Sequence, residues 1–99
     1  MLFRSYHMSE ALLVLKTRTV QSGGIVEMVV WQLPKPVPPA EHFFKYRLVF
    51  VRDGKRVVGY DNERGKGDHK HLGERQVQYK FVDIETLMAD FVRDVEAMQ

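Results

Sequence analysis

The stretch FKYRLVFVRDGKRVVGYDN, Phe44 to Asn62, constrains the fold most. Phe44, Tyr46, Leu48 and Phe50 alternate with Lys45, Arg47, Val49 and Val51. Successive side chains on a strand point to opposite faces, so this alternation predicts a strand over Phe44–Val51. One of its faces is apolar and the other carries two cations. Asp53-Gly54 follows, and Asp-Gly is among the strongest two-residue hairpin signals because such turns need positive φ. Arg56–Asn62 is then the returning strand, antiparallel to the first.

The remaining segments extend this hairpin. Ala11–Val20 is rich in Leu, Val and Thr and reads as a strand. Ser22-Gly23-Gly24 supplies a turn, and Ile25–Leu33 reads as a second strand, apolar on nearly both faces and therefore expected to be central and covered on both sides. Pro34, Pro36, Pro38 and Pro39 lack backbone donors and stop that strand in a stiff loop. Val77–Phe81 is a candidate fifth strand. Asp83 is placed to cap a helix, with Glu85 in its first turn. Ile84, Leu87, Met88, Phe91, Val92 and Val95 form an apolar stripe at helical spacing. The expected architecture is α+β: an antiparallel meander of four or five strands, with the C-terminal helix packed on one face. Residues 1–99 are expected to form a single domain, with Met1–Glu10 a loose arm or short helix.

Composition narrows the chemistry. With no cysteine among 99 residues, a disulfide scaffold, a thiolate zinc site and a cysteine nucleophile are excluded. No apolar run is long enough to span a bilayer as a helix, and Met1–Lys16 lacks the features of a signal peptide. A cytoplasmic location is the expectation. The charge is unevenly spread. Asp83–Gln99 carries five acids against Arg93, or −4, so a chain of net +2 leaves +6 on the preceding residues. A basic body with an acidic tail suits an anionic partner such as nucleic acid, although a mixed solvated surface has the same totals.

YDNERGKGDHKH, Tyr60–His71, concentrates the ionisable groups. If the segment is extended, His69 and His71 face one side. One neutral and one protonated imidazole are the base and acid that RNA cleavage requires. Arg64 and Lys66 would stabilise charge on the phosphorane, and Asp68 adds a carboxylate to the candidate catalytic set. Lys70, Arg75, Lys45 and Arg47 are candidate RNA-binding residues, and Lys16 and Arg18 extend a basic sheet face if the helix leaves that face open. This route needs no metal or other cofactor. A metal route through Asp61, Glu63, Asp68, His69 and His71 is the alternative, and a solvated loop of mutually paired charges is the non-functional one. His7 and His42 are expected to be structural, and Trp31 and Tyr46 to belong to the core.

From GGIVEMVVWQLP through YDNERGKGDHKH to the helix after VQYKF, roughly Leu12–Val92, the chain resembles the TumE-type toxins of bacterial toxin–antitoxin systems. The most specific pieces are YDNERGKGDHKH and VEMVVWQLP. The resemblance implies a small cytoplasmic toxin neutralised by a separately encoded antitoxin, a helix-turn-helix DNA-binding protein. It carries no catalytic residues across. The sheet-plus-helix layout is also similar to that of RelE- and ParE-type toxins, with the long helix last here, and metal-independent RNA cleavage enters from RelE by fold analogy alone. The readings this leaves are a metal-independent endoribonuclease, a binding module that blocks a target or pairs with a DNA-binding antitoxin, and a metal-dependent nuclease. Exposed sheet edges add the expectation of a homodimer.

Overall fold

The structure, a computed structural model, describes residues 10–21 and 23–98. The arm or short helix expected at the N-terminus lies, apart from Glu10, outside the described residues, as does His7. Six strands and one helix follow in chain order: β1 Leu12–Gln21, β2 Gly24–Gln32, β3 Phe44–Arg52, β4 Lys55–Asp61, β5 His69–Leu72, β6 Arg75–Gln78 and α1 Ile84–Ala97. The strands form one sheet in sequence order, and each adjacent pair is antiparallel. The α+β meander with a C-terminal helix is therefore as expected, but with six strands rather than four or five. The additional strand, β5, comes from the histidine segment itself. His69–Leu72 turns at Gly73, whose φ of 63° suits glycine, and returns as Arg75–Gln78. Strand β5 is too short for alternation to be legible; the fifth strand expected over Val77–Phe81 forms earlier in the chain as β6, and Tyr79–Phe81 has already left the sheet.

The core lies between the helix and one face of the sheet. Val26 and Val30 of β2, Tyr46, Leu48 and Phe50 of β3, and Val58 and Tyr60 of β4 pack with Leu87, Phe91 and Val95 of α1. The helix starts where the sequence indicates: the Thr86 N–H donates to Asp83 Oδ1 at 2.7 Å, and this bond holds the Asp83 carboxyl below its usual range. Among the described residues, no helix lies over the opposite face of the sheet. Here the structure corrects two expectations. Strand β2 is buried at Val26 and Val30 but only half-buried at Glu27, Val29 and Trp31, so it is covered on one side. Trp31 accordingly lies outside the core, whereas Tyr46 is within it.

One polar residue replaces a rung of the sheet. The β3–β4 ladder ends at Arg47 and Asp61. Beyond it, Asn62, fully buried, accepts from the Tyr46 N–H at 3.0 Å and donates its Nδ2 to the Phe44 carbonyl at 2.6 Å. The amide thus continues β3 pairing where the main chain of β4 turns away. Asn62→Ala is expected to cost about 1–3 kcal/mol for each of the two groups left without a partner, read as a lower urea midpoint. A midpoint unchanged from wild type would remove this role.

Candidate functional site

Two rows of side chains cross the open face of the sheet. The register places Lys16, Val29, Arg47, Asp61, His69 and Gln78 in one row. Arg18, Glu27, Val49, Gly59, His71 and Gln76 form the next. Asp61 and His69 are direct cross-strand partners, and His71 stands two residues along β5 on the same face. Their ligand atoms lie within 4.8 Å of one another. The two imidazole rings meet edge to face, with centroids 5.1 Å apart.

The hydrogen bonds of His69 settle its orientation. Nδ1 is 2.9 Å from the Gly67 carbonyl oxygen, which only accepts, so Nδ1 carries a hydrogen. Nε2 then faces Asp61 Oδ1 at 3.1 Å. His69 is 3% exposed and Asp61 is half-buried, so the carboxylate is the pair's more accessible end. His71 is half-exposed beside them. Burial, then the charge of Arg56, then His69, hold its pKa below the ordinary histidine value, with Asp61 opposing.

Arg56 reaches this site through an irregularity in β4. The register shifts between Phe50 and Val51, so that Val58 pairs with Phe50 but Arg56 pairs with Val51. The displaced residue turns Arg56 to the histidine side. Gly59 makes room for it, because a Cβ there would stand 2.7 Å from Arg56 Cδ. Arg47, Lys55 and Arg56 line one groove of about 650 Å³, and Arg47 also lines two neighbouring grooves, one with Lys16 and Arg18 and one with Trp31 and Lys45. Arg18 is paired with Glu27 at 3.0 Å, whereas no ion pair forms at Lys16, Lys45, Arg47 or Arg56 among the described residues.

The sequence candidates separate by face. His69, His71, Lys45 and Arg47 share the open face. Lys66 stands on the exposed turn before β5, where its charge reaches His71, and Arg64 is exposed on the same turn. Asp68 and Lys70 point the other way, as alternation along β5 requires. Lys70 Nζ is 3.0 Å from Asp94 of the helix, which also accepts from the Tyr60 hydroxyl. Arg75, paired with Leu72, lies on this helix side at the sheet margin.

Asp68 belongs to a separate cluster. Its Oδ1 accepts from the Tyr46 hydroxyl at 2.6 Å and lies 2.8 Å from His42 Nε2. The Phe44 N–H donates to His42 Nδ1 at 3.2 Å, so Nε2 carries the hydrogen, and the ring stacks on Phe81 at 3.8 Å. Together with a bond from the Gly65 N–H to the Pro38 carbonyl at 3.0 Å, this cluster ties the proline loop to the turn that leads into His69. Tyr46, Tyr60 and Tyr79 donate to Asp68, Asp94 and Asp90 respectively. Burial and those carboxylates raise all three phenols above their ordinary value, which keeps them as neutral donors. Sequence reading missed Arg56 and Asn62 as contributors. The single legible signal was the position of Asn62 at the end of a strand.

Fold and site together define a small α+β domain with a cationic open sheet face and an Asp-His-His cluster upon it. The family model described as Toxin TumE matches residues 3–99. The chain belongs to the TumE toxin family. Its cognate partner is therefore an antitoxin. No curated protein and no solved structure matches the chain. No helix among the described residues is long and apolar enough to cross a membrane.

Proposed function

We propose that this toxin is a metal-independent endoribonuclease that holds RNA on its open sheet face. The observation that carries the reading is the Asp61–His69–His71 cluster, flanked by Arg47 and Arg56 on the face opposite helix α1. Lys16, Lys45 and Arg47 bind backbone phosphates, and Trp31 beside them offers a surface for a base. His71 accepts the proton of the ribose 2′-hydroxyl as the 2′-oxygen attacks phosphorus. The bond from phosphorus to the 5′-oxygen breaks, and that oxygen takes the proton held between His69 Nε2 and Asp61 Oδ1. Arg56 and Arg47 stabilise the phosphorane charge. Products are a 2′,3′-cyclic phosphate and a 5′-hydroxyl.

The protein acts in the cytoplasm, paired before release with a helix-turn-helix antitoxin. A homodimer joined through strand edges is part of the same proposal; a light-scattering mass of one chain would remove it. The test of cleavage is incubation of purified toxin with end-labelled RNA in EDTA. Cyclic-phosphate ends are expected, with no cutting where the 2′-hydroxyl is replaced by hydrogen. Growth arrest by expressed protein with cellular RNA intact would replace the reading with a toxin that blocks its target by binding.

A further inference from the structure

We infer that Asp61, His69 and His71 form a binding site for one divalent transition-metal ion of the zinc class. Two imidazole nitrogens and one carboxylate oxygen are donors that suit Zn²⁺, Co²⁺ or Ni²⁺; Mg²⁺ and Ca²⁺ prefer oxygen alone. The three ligands come from paired strands rather than from one loop, so the sheet positions them. The Gly67 carbonyl, 2.9 Å from His69 Nδ1, fixes that ring as outer partners of metal-bound histidines do.

The decisive feature is the face between His69 and Asp61. Nδ1 bears a hydrogen, so whenever the ring is neutral the Nε2 lone pair confronts a carboxylate oxygen at 3.1 Å. Two acceptors at that distance repel unless a cation stands with them, and a proton or a metal ion meets the need. A tetrahedral ion with bonds of about 2.0–2.1 Å sets its ligand atoms roughly 3.4 Å apart. His69 and Asp61 are already near that spacing. His71, half-exposed, closes the remaining gap by turning its side chain. Solvent or a phosphate oxygen completes the coordination from the open side, where Arg56 favours an anion.

The site uses the same side chains as the cleavage reading but does not depend on it. A bound ion occupies the lone pairs that proton transfer requires, so metal occupancy and acid–base cleavage exclude each other. The test takes untagged protein, stripped with EDTA and dialysed. It is titrated with ZnCl₂ by calorimetry and with CoCl₂ by visible absorption. One ion per chain and the intense bands of tetrahedral Co²⁺ are expected. Asp61→Asn and His71→Ala, checked for folding by circular dichroism, each weaken binding by about tenfold or more. Glu96→Gln, at an exposed acid of the helix, leaves it unchanged. Absent saturable binding by wild type, equal affinity in His71→Ala, or an equal loss in Glu96→Gln would overturn the site. A toxin that binds the ion yet leaves RNA intact removes only the cleavage reading. One that cuts RNA and binds no ion removes only the metal site.

Discussion

Phe91→Ala is expected to destabilise the protein by about 3–5 kcal/mol, the range for truncating a buried aromatic residue. Phe91 is 1% exposed and meets the Tyr60 ring edge to face, with centroids 5.7 Å apart. Leu87 and Val95, one turn to either side, are buried against the same sheet face. Phe91 is thus the central apolar anchor of the only helix in the described residues. Removing it leaves a cavity between the layers and weakens the packing that buries the Tyr60–Asp94–Lys70 group. A single domain has only about 5–15 kcal/mol of stability in total, so the variant approaches unfolding at ordinary temperature. Val92→Ala is the matched comparison: the neighbouring residue is 40% exposed and is expected to change stability by no more than about 0.5 kcal/mol. Urea unfolding of the two variants separates them. Equal midpoints would mean that the helix does not hold the sheet through Phe91.

His71→Gln is expected to lower RNA cleavage by about a hundred- to ten-thousand-fold while leaving the fold intact. Glutamine keeps much of the shape and the hydrogen bonding but cannot take a proton. His71 is half-exposed on the open face, and no hydrogen bond to its ring is present among the described residues. RNA affinity is expected to be retained in this variant. Arg47→Ala is expected to weaken binding, with the salt dependence reduced by about one phosphate contact, and also to slow cleavage, because Arg47 stabilises the phosphorane. Filter binding across a salt series, together with single-turnover cleavage, reads both. If His71→Gln cuts as fast as wild type, proton transfer at this site is not the chemistry. If it loses affinity in step with Arg47→Ala, His71 binds rather than reacts.

The two sites differ in how far residue order could reveal them. His69 and His71 were visible as a pair because a two-residue spacing on any extended segment gives a common face. The same alternation puts Asp68 and Lys70 on the opposite face, yet as a string HKH and its neighbours look like one cluster. Arg56 was hidden for another reason. Regular alternation from Val58 and Tyr60 would turn it toward the helix, and only the register shift beside Phe50 brings it to His71. Asn62 was hidden because its partners, the main chain of Phe44 and Tyr46, lie on a different strand.

What residue order determined by itself was local. Alternation and Asp53-Gly54 specify the β3–β4 hairpin, and the Asp83 cap with the apolar stripe specifies the helix. These depend on neighbours within a few positions, where backbone sterics and side-chain period act directly. What only the tertiary structure decided was which sheet face the helix covers and how the strands align. Alternation says that Lys45, Arg47 and Val49 share a face, but not whether that face is buried. The outcome depends on apolar area summed over three strands, which draws Leu87, Phe91 and Val95 onto the side of Val30, Leu48 and Tyr60. The opposite side, with Arg47, Asp61, His69 and His71, is left uncovered by α1, and that long-range choice creates the candidate site.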